Sequence, residues 1–198
     1  MRNARNLYFI GCGTSYHACL AGAVFFARLA GRAVIPVIAP QFIPQYLPTV
    51  GPQDVGLFVS QSGETKDVLN AHYAAEKQGM QCFGLANVIG STLTRASVCS
   101  LPLCCGYEIS VPATKTFTNQ VVTFLYLAYQ LAGRDTRELE AIPDLMEQTI
   151  VHTTPQVERI TPEVNAWEDS YSLGYGATYP MALEGALKLK EITYIHAE

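Results

Sequence analysis

The run Ser60-Gln61-Ser62-Gly63-Glu64-Thr65 places three hydroxyls, one amide and one glycine within six residues. It follows an apolar stretch that reads as a strand and opens a stretch that reads as a helix. The first turn of a helix leaves backbone N–H groups without intrahelical partners, and these favour an anion. Hydroxyl donors add to them. No lysine lies within the loop, so it is not the lysine-bearing phosphate loop of nucleotide hydrolases. A hydroxyl-rich loop suits the phosphate monoester of a sugar phosphate, whose dianion needs many donors. The same residues also fit an ordinary polar turn in which Ser or Thr caps the helix.

Two further groups could do chemistry. Gly11-Cys12-Gly13-Thr14-Ser15 also follows an apolar strand. In a parallel sheet both loops fall at the carboxyl ends of strands, where ligands bind. Alone, a glycine turn needs no ligand. The second group is Glu184, Lys188 and Glu191, which a helical period of about 3.6 places in one charged stripe. The rest of Met181 to Ile195 is largely apolar, and such a helix is normally buried. The stripe therefore lines a polar pocket, or is a solvated Glu–Lys pair. Glu108 to Lys115 reads as a polar loop ending in a cap, Thr114. His17, His72 and His152 have no motif context and read as structural or surface residues. Trp167 reads as packing.

The elements that must position these residues follow from the pattern of apolar runs. Strands are predicted at Leu7–Ile10, Ala33–Ala39, Val55–Val59, Gln81–Ala86 and Val98–Leu103. Helices are predicted at Ser15–Ala30, Thr65–Gln78 and Thr114–Ala132, closed by Gly31, Gly79 and Gly133. Pro40 to Pro48 reads as a loop or a short broken helix. This alternation predicts a three-layer α/β/α domain, a five-stranded parallel sheet flanked by helices. After Gly133 the chain is more polar, and two helices are expected, interrupted near Pro143 and Pro155. A new strand at Ser170–Gly174 and a helix from Pro180 echo the order at Leu7–Tyr16, as a duplicated unit would. The expected division is residues 1–133, a helical connector 134–168, and the incomplete start of a second unit at 169–198. A second unit that stops after one strand and one helix leaves an open sheet edge, which points to an incomplete sequence.

Composition excludes several classes. Of 198 residues, 49% are hydrophobic and 15% charged, which is core-rich and not disordered. The net charge is −4 with no basic block, so no nucleic-acid partner is expected. The six cysteines form no C-x-x-C pair and H-E-x-x-H is absent, so no metal site and no cofactor is expected. The longest apolar stretch, Val121 to Ala132, falls short of the roughly 20 residues of a membrane span. Its apolarity suggests a subunit contact. With no signal peptide, a cytoplasmic, reduced protein is expected.

Four motifs in order carry a resemblance to a known family. G-C-G-T-S-Y-H-A at Gly11–Ala18 resembles the opening of a sugar isomerase (SIS) domain, and S-Q-S-G-E-T at Ser60–Thr65 its sugar-phosphate loop. Glu108–Gln120 and Ala182–Glu198 narrow the resemblance to the isomerase half of the glucosamine-6-phosphate synthase family (glutamine–fructose-6-phosphate aminotransferase, isomerising). The resemblance implies that Ser60, Gln61, Ser62 and Thr65 hold the phosphate. It implies that Thr14, Ser15 and the Val111 backbone meet the sugar. Glu191 would be the base that moves a proton between C1 and C2, with Lys188 accompanying it. It implies a homodimer and a glutaminase domain in full-length relatives, absent from this sequence, along with the family's ring-opening histidine and imine-forming lysine.

The sequence departs from the family pattern E-I-G-V-A-S-T-K, carrying Ser110, Pro112 and Ala113 for Gly, Ala and Ser. A hydroxyl that reaches the ligand is thus missing at Ala113. The function this implies is sugar-phosphate binding with ketose–aldose isomerisation, limited by truncation in the second SIS subdomain. The alternatives are a non-catalytic sugar-phosphate-sensing module, or another phosphosugar isomerase or deglycase of the same fold. The charged stripe favours the enzyme.

Overall fold

The computed structural model describes all 198 residues. Strands β1 (Leu7–Gly11) and β3 (Val55–Ser60) are buried along their whole length. Continuous apolar strands of this kind need cover on both faces, which a parallel sheet with crossover helices provides. They pair with each other and with β2 (Ile35–Ile38), β4 (Gln81–Ala86) and β5 (Cys99–Pro102). The order is β2-β1-β3-β4-β5, and every pairing is parallel.

Side-chain alternation divides the core in two. Tyr8, Ile10 and Phe58 face helices α2 (Ala39–Tyr46), α3 (Lys66–Lys77) and α4 (Thr92–Ala96), meeting Phe42, Val68, Ala71 and Leu93. Leu7, Phe9, Leu57 and Val59 face α1 (Thr14–Ala30) and α5 (Lys115–Ala132), meeting Ala18, Phe26, Phe124 and Ala128. The result is the expected α/β/α sandwich. Phe9 packs between Phe26 and Phe124, with ring centroids 5.0 and 4.6 Å away. The close approach of α1 to α5 depends on Gly22, where a Cβ would lie 2.6 Å from the Phe124 ring. The apolar face of α5 is thus used inside the chain, with Phe124 and Ala128 fully buried, and gives no separate sign of a subunit contact.

Several expectations are corrected. Ala33–Ala39 is not all strand: pairing is confined to Ile35–Ile38, and Ala39 begins α2, whose interior holds Pro44. Helix α4, a five-residue turn, has too few residues to show a period. Residues 134–167 are not two helices broken at Pro143 and Pro155. A 3-10 turn at Thr136–Ala141 leads into one helix, α6 (Ile142–Val164). Pro143 sits in its first turn, where a missing N–H costs nothing. Pro155 and Pro162 lie inside it. No residue of α6 is buried, so water can satisfy the carbonyls that the prolines leave free. The strand at Ser170–Gly174 shrinks to β6 (Asp169–Ser170), because only those two residues find a partner, β7 (His196–Ala197). Helix α7 (Tyr179–Thr193) packs on α1. Trp167, expected to pack, is 45% exposed.

Candidate functional site

The chain leaves β1 towards β2 on one side, then returns to place β3 on the other. The carboxyl ends of β1 and β3 therefore lie side by side at the switch point of the sheet, where open parallel sheets bind ligands. The turn after β1 is tight. A Cβ on Gly11 would meet the Ser15 backbone at 2.9 Å, and Gly13 takes a positive φ of 51° to launch α1 at Thr14.

The loop after β3 is held by its own hydroxyls. Ser60 is buried, and its Oγ accepts from the Gly63 N–H at 3.0 Å and lies 2.8 Å from Thr65 Oγ1. Ser62 Oγ accepts from the Glu64 N–H at 3.1 Å. Gly63 has φ 67°, and a Cβ there would lie 2.0 Å from Ser91 Oγ. Glu64 accepts from the Thr92 N–H at 2.8 Å, capping α4 and holding its carboxyl below the ordinary value. The loop is thereby fixed on its outer side, and Ser62 and Thr65 are set at the start of α3.

A polar cluster joins α1 to α7. Glu184 is buried, and burial pushes its carboxyl up. Hydrogen bonds from His17 Nδ1 at 2.7 Å and Thr14 Oγ1 at 2.9 Å, with the Lys188 ammonium at 3.4 Å, outweigh that and hold it low. Lys188 also donates to Thr14 Oγ1 at 3.1 Å and to Glu191 at 2.6 Å. Side-chain exposure rises outward along the stripe, from 7% at Glu184 to 17% at Lys188 and 27% at Glu191. His17, expected to be structural or at the surface, is a member of this cluster. It lies 167 residues from Glu184 in sequence, and no local signal marks that pair.

Between these elements lies a cleft of about 210 Å3. Cys12, Thr14, Ser15, Gln61, Ser62 and Thr65 line it from the two strand ends. Glu108, Ser110, Val111 and Ala113 close it from the loop before α5, and Thr116 and Gln120 from α5 itself. Glu108 caps α5, accepting from the Thr116 N–H and Oγ1 at 2.8 and 2.9 Å. The structure thus brings together Thr14, Ser15, Gln61, Ser62, Thr65 and Val111. Ser60 lies beneath, spent on the loop. Lys188 reaches the cleft's wall through Thr14, and Glu191 through Lys188. Thr116 and Gln120 lie within the Glu108–Gln120 motif but were not singled out, because single polar residues on an apolar helix give no local sign of a ligand. A larger cavity of about 640 Å3 lies at the amino ends of the strands around Met1–Arg5. Its arginines are engaged elsewhere, Arg5 with Asp54 and Arg2 with the Leu131 carbonyl. Convergent donors, not size, select the smaller cleft.

A parallel α/β/α domain with a hydroxyl-lined cleft at its switch point belongs to the class of open α/β domains that bind ligands at the carboxyl ends of their strands. A model of the SIS domain family matches residues 1–129, and the chain belongs to that family. It is 43% identical over 202 residues to a glutamine–fructose-6-phosphate aminotransferase (isomerizing) of Pyrobaculum aerophilum, covering 98% of this chain and 33% of that one. It is 40% identical over 205 residues to the enzyme of the same name from Aquifex aeolicus, covering 100% of this chain and 34% of that one. The chain spans about a third of the length of these curated relatives. Among solved structures it matches the C-terminal domain of glucosamine-fructose-6-phosphate aminotransferase from Francisella tularensis. There the TM-score is 0.88 and the identity 30%, over 99% of this chain and 58% of that one. The fold is shared with a glucosamine-6-phosphate deaminase of Thermotoga maritima, at TM-score 0.79 and 23% identity, over 100% of this chain and 61% of that one. No helix is long and apolar enough to cross a membrane.

Proposed function

We propose that the cleft binds a hexose 6-phosphate and serves its ketose–aldose isomerisation, as part of amino-sugar synthesis from fructose 6-phosphate. The observation that carries this is the convergence of Thr14, Ser15, Gln61, Ser62 and Thr65 on one cleft whose wall touches Lys188. The names of the full-length relatives supply the substrate. Gln61, Ser62 and Thr65, at the start of α3, hold the phosphate with side-chain donors and the helix's free N–H groups. Thr14, Ser15 and the Val111 backbone meet the sugar. Phosphate binding orients carbons well away from it.

Isomerisation needs one base to take the C1 proton and return it to C2. Glu191 fits that role: it is the more exposed carboxylate of the stripe, and Lys188 fixes its position. Glu184 is committed to His17 and Thr14 and serves as the anchor. Little or no complete catalysis by this chain on its own, a homodimer and a cytoplasmic setting belong to the same proposal. So does the division into residues 1–133, 134–168 and 169–198.

Ser62→Ala and Thr65→Ala are expected to weaken fructose 6-phosphate binding about tenfold each, the worth of a hydrogen bond to a charged group. Calorimetric titration measures this. Unchanged affinity in both variants would contradict the assignment of the phosphate. Glu191→Gln is expected to retain binding and to abolish solvent-deuterium exchange at C1, followed by NMR. A sensing module would show no such exchange in the unaltered chain.

A further inference from the structure

Gln120 stands on α5 at the cleft, with only 1% of its surface exposed. Its Nε2 donates to Ser15 Oγ at 3.0 Å. Its Oε1 has no partner within the protein. A buried amide oxygen without a donor is costly, and native structures rarely leave one without a reason.

The two ends of the amide have different consequences. Because Nε2 donates to Ser15 Oγ, the single Ser15 hydrogen is left for another acceptor. The reverse orientation would spend that hydrogen on Gln120. On the other side, Oε1 can only accept. A phosphate dianion carries acceptors and no donor, so it cannot satisfy Oε1. A sugar hydroxyl can, since it both donates and accepts.

Building on the assignment of this cleft to a sugar phosphate, we propose that Gln120 is a specificity-determining residue that reads the sugar and not the phosphate. Its Oε1 accepts from one hydroxyl of the ligand. Its Nε2 turns Ser15 so that the serine hydroxyl donates to a second ligand oxygen. The ligand class is therefore a phosphorylated polyol or sugar with a free hydroxyl facing α5.

The test is Gln120→Met, titrated calorimetrically with fructose 6-phosphate and with inorganic phosphate, alongside the melting temperature without ligand. Methionine fills a similar volume and removes the oxygen that lacks a donor, so melting is expected not to fall. Fructose 6-phosphate affinity is expected to drop about tenfold, while inorganic phosphate changes less than about twofold. Equal losses for both ligands, or lower melting with both affinities intact, would assign Gln120 a scaffolding role and overturn the proposal. Unchanged fructose 6-phosphate affinity would overturn it and leave the cleft assignment standing. A folded, unaltered chain that binds no fructose 6-phosphate would remove the cleft assignment and this inference together. A second variant, Gln120→Glu, does not depend on tolerance of methionine. When protonated, a carboxyl offers one donor and one acceptor in the amide's shape. Burial at this 1%-exposed position raises a carboxyl's pKa, so the affinity of this variant relative to the unaltered chain is expected to recover as the pH falls from about 8 to about 5, and no recovery would count against the proposal.

Discussion

Glu184 is the residue on which the charged cluster turns. It accepts from His17 and Thr14 and faces Lys188, so one carboxylate ties three side chains from two helices. Glu184→Ala would remove the carboxylate shared by His17, Thr14 and Lys188, leaving a largely buried lysine and imidazole without it. Removing one partner of a buried pair costs about 3–5 kcal/mol, and the loss here is expected near the lower end because Lys188 keeps Glu191. Denaturant unfolding measures it, and a loss below about 1 kcal/mol would contradict the anchoring role. The sign with pH follows from the lowered folded pKa. Between the folded and unfolded values the unfolded chain binds more protons, so stability rises with pH. Glu184's contribution is complete above about pH 4.3, the unfolded value, and is lost as the pH falls through the folded one. The stripe of Glu184, Lys188 and Glu191 was legible from its spacing. Its partner His17 was not, since contacts across 167 residues leave no periodicity.

At the scale of elements, two devices hold the site. The first is the turn after β3. Gly63 needs its positive φ and leaves no room for a side chain beside Ser91. Gly63→Ala is expected to destabilise the chain by more than about 1 kcal/mol, through strain and collision together, and to lose fructose 6-phosphate binding. A stable variant that still binds would show that the loop tolerates another path. The second is α3, whose buried face carries His72. Its Nε2 lies 3.2 Å from Ser97 Oγ, its ring packs 4.9 Å from Phe58, and burial lowers its pKa. The folded form stays neutral where the unfolded form protonates. Stability is therefore expected to fall as the pH drops below about 6.5, before the carboxylates titrate. His72→Leu should flatten that limb of the pH–stability curve, and an identical limb in the variant would assign it to another group. The strands were legible because each is a short apolar run bounded by turn residues. Helix α4 was not, because five residues cannot display a helical period.

For the whole molecule, sequence and structure agree on the α/β/α sandwich and part company after Gly133. The sandwich is written twice over, in apolar strands and in amphipathic helices, so either signal suffices. Helix α6 carries the opposite message: its prolines suggest breaks, yet an exposed helix tolerates them. It also displays Leu145, Ile150, Val151, Val157 and Ile160 to solvent. Exposed apolar rows mark interaction surfaces. The proposed homodimer predicts a light-scattering mass of twice 21.6 kDa, and a clean monomer at high concentration would count against it. Neither the cleft nor the sandwich depends on that outcome. Both rest on residues the strands and α1, α3 and α5 place together.

The most direct measurement is calorimetric titration of the folded chain with fructose 6-phosphate and, in parallel, with fructose. A cleft built from Ser62, Thr65 and the start of α3 should bind the phosphorylated sugar and show no measurable heat with the unphosphorylated one. Equal binding of both sugars, or none of either, would contradict a phosphosugar site at the switch point of this sheet.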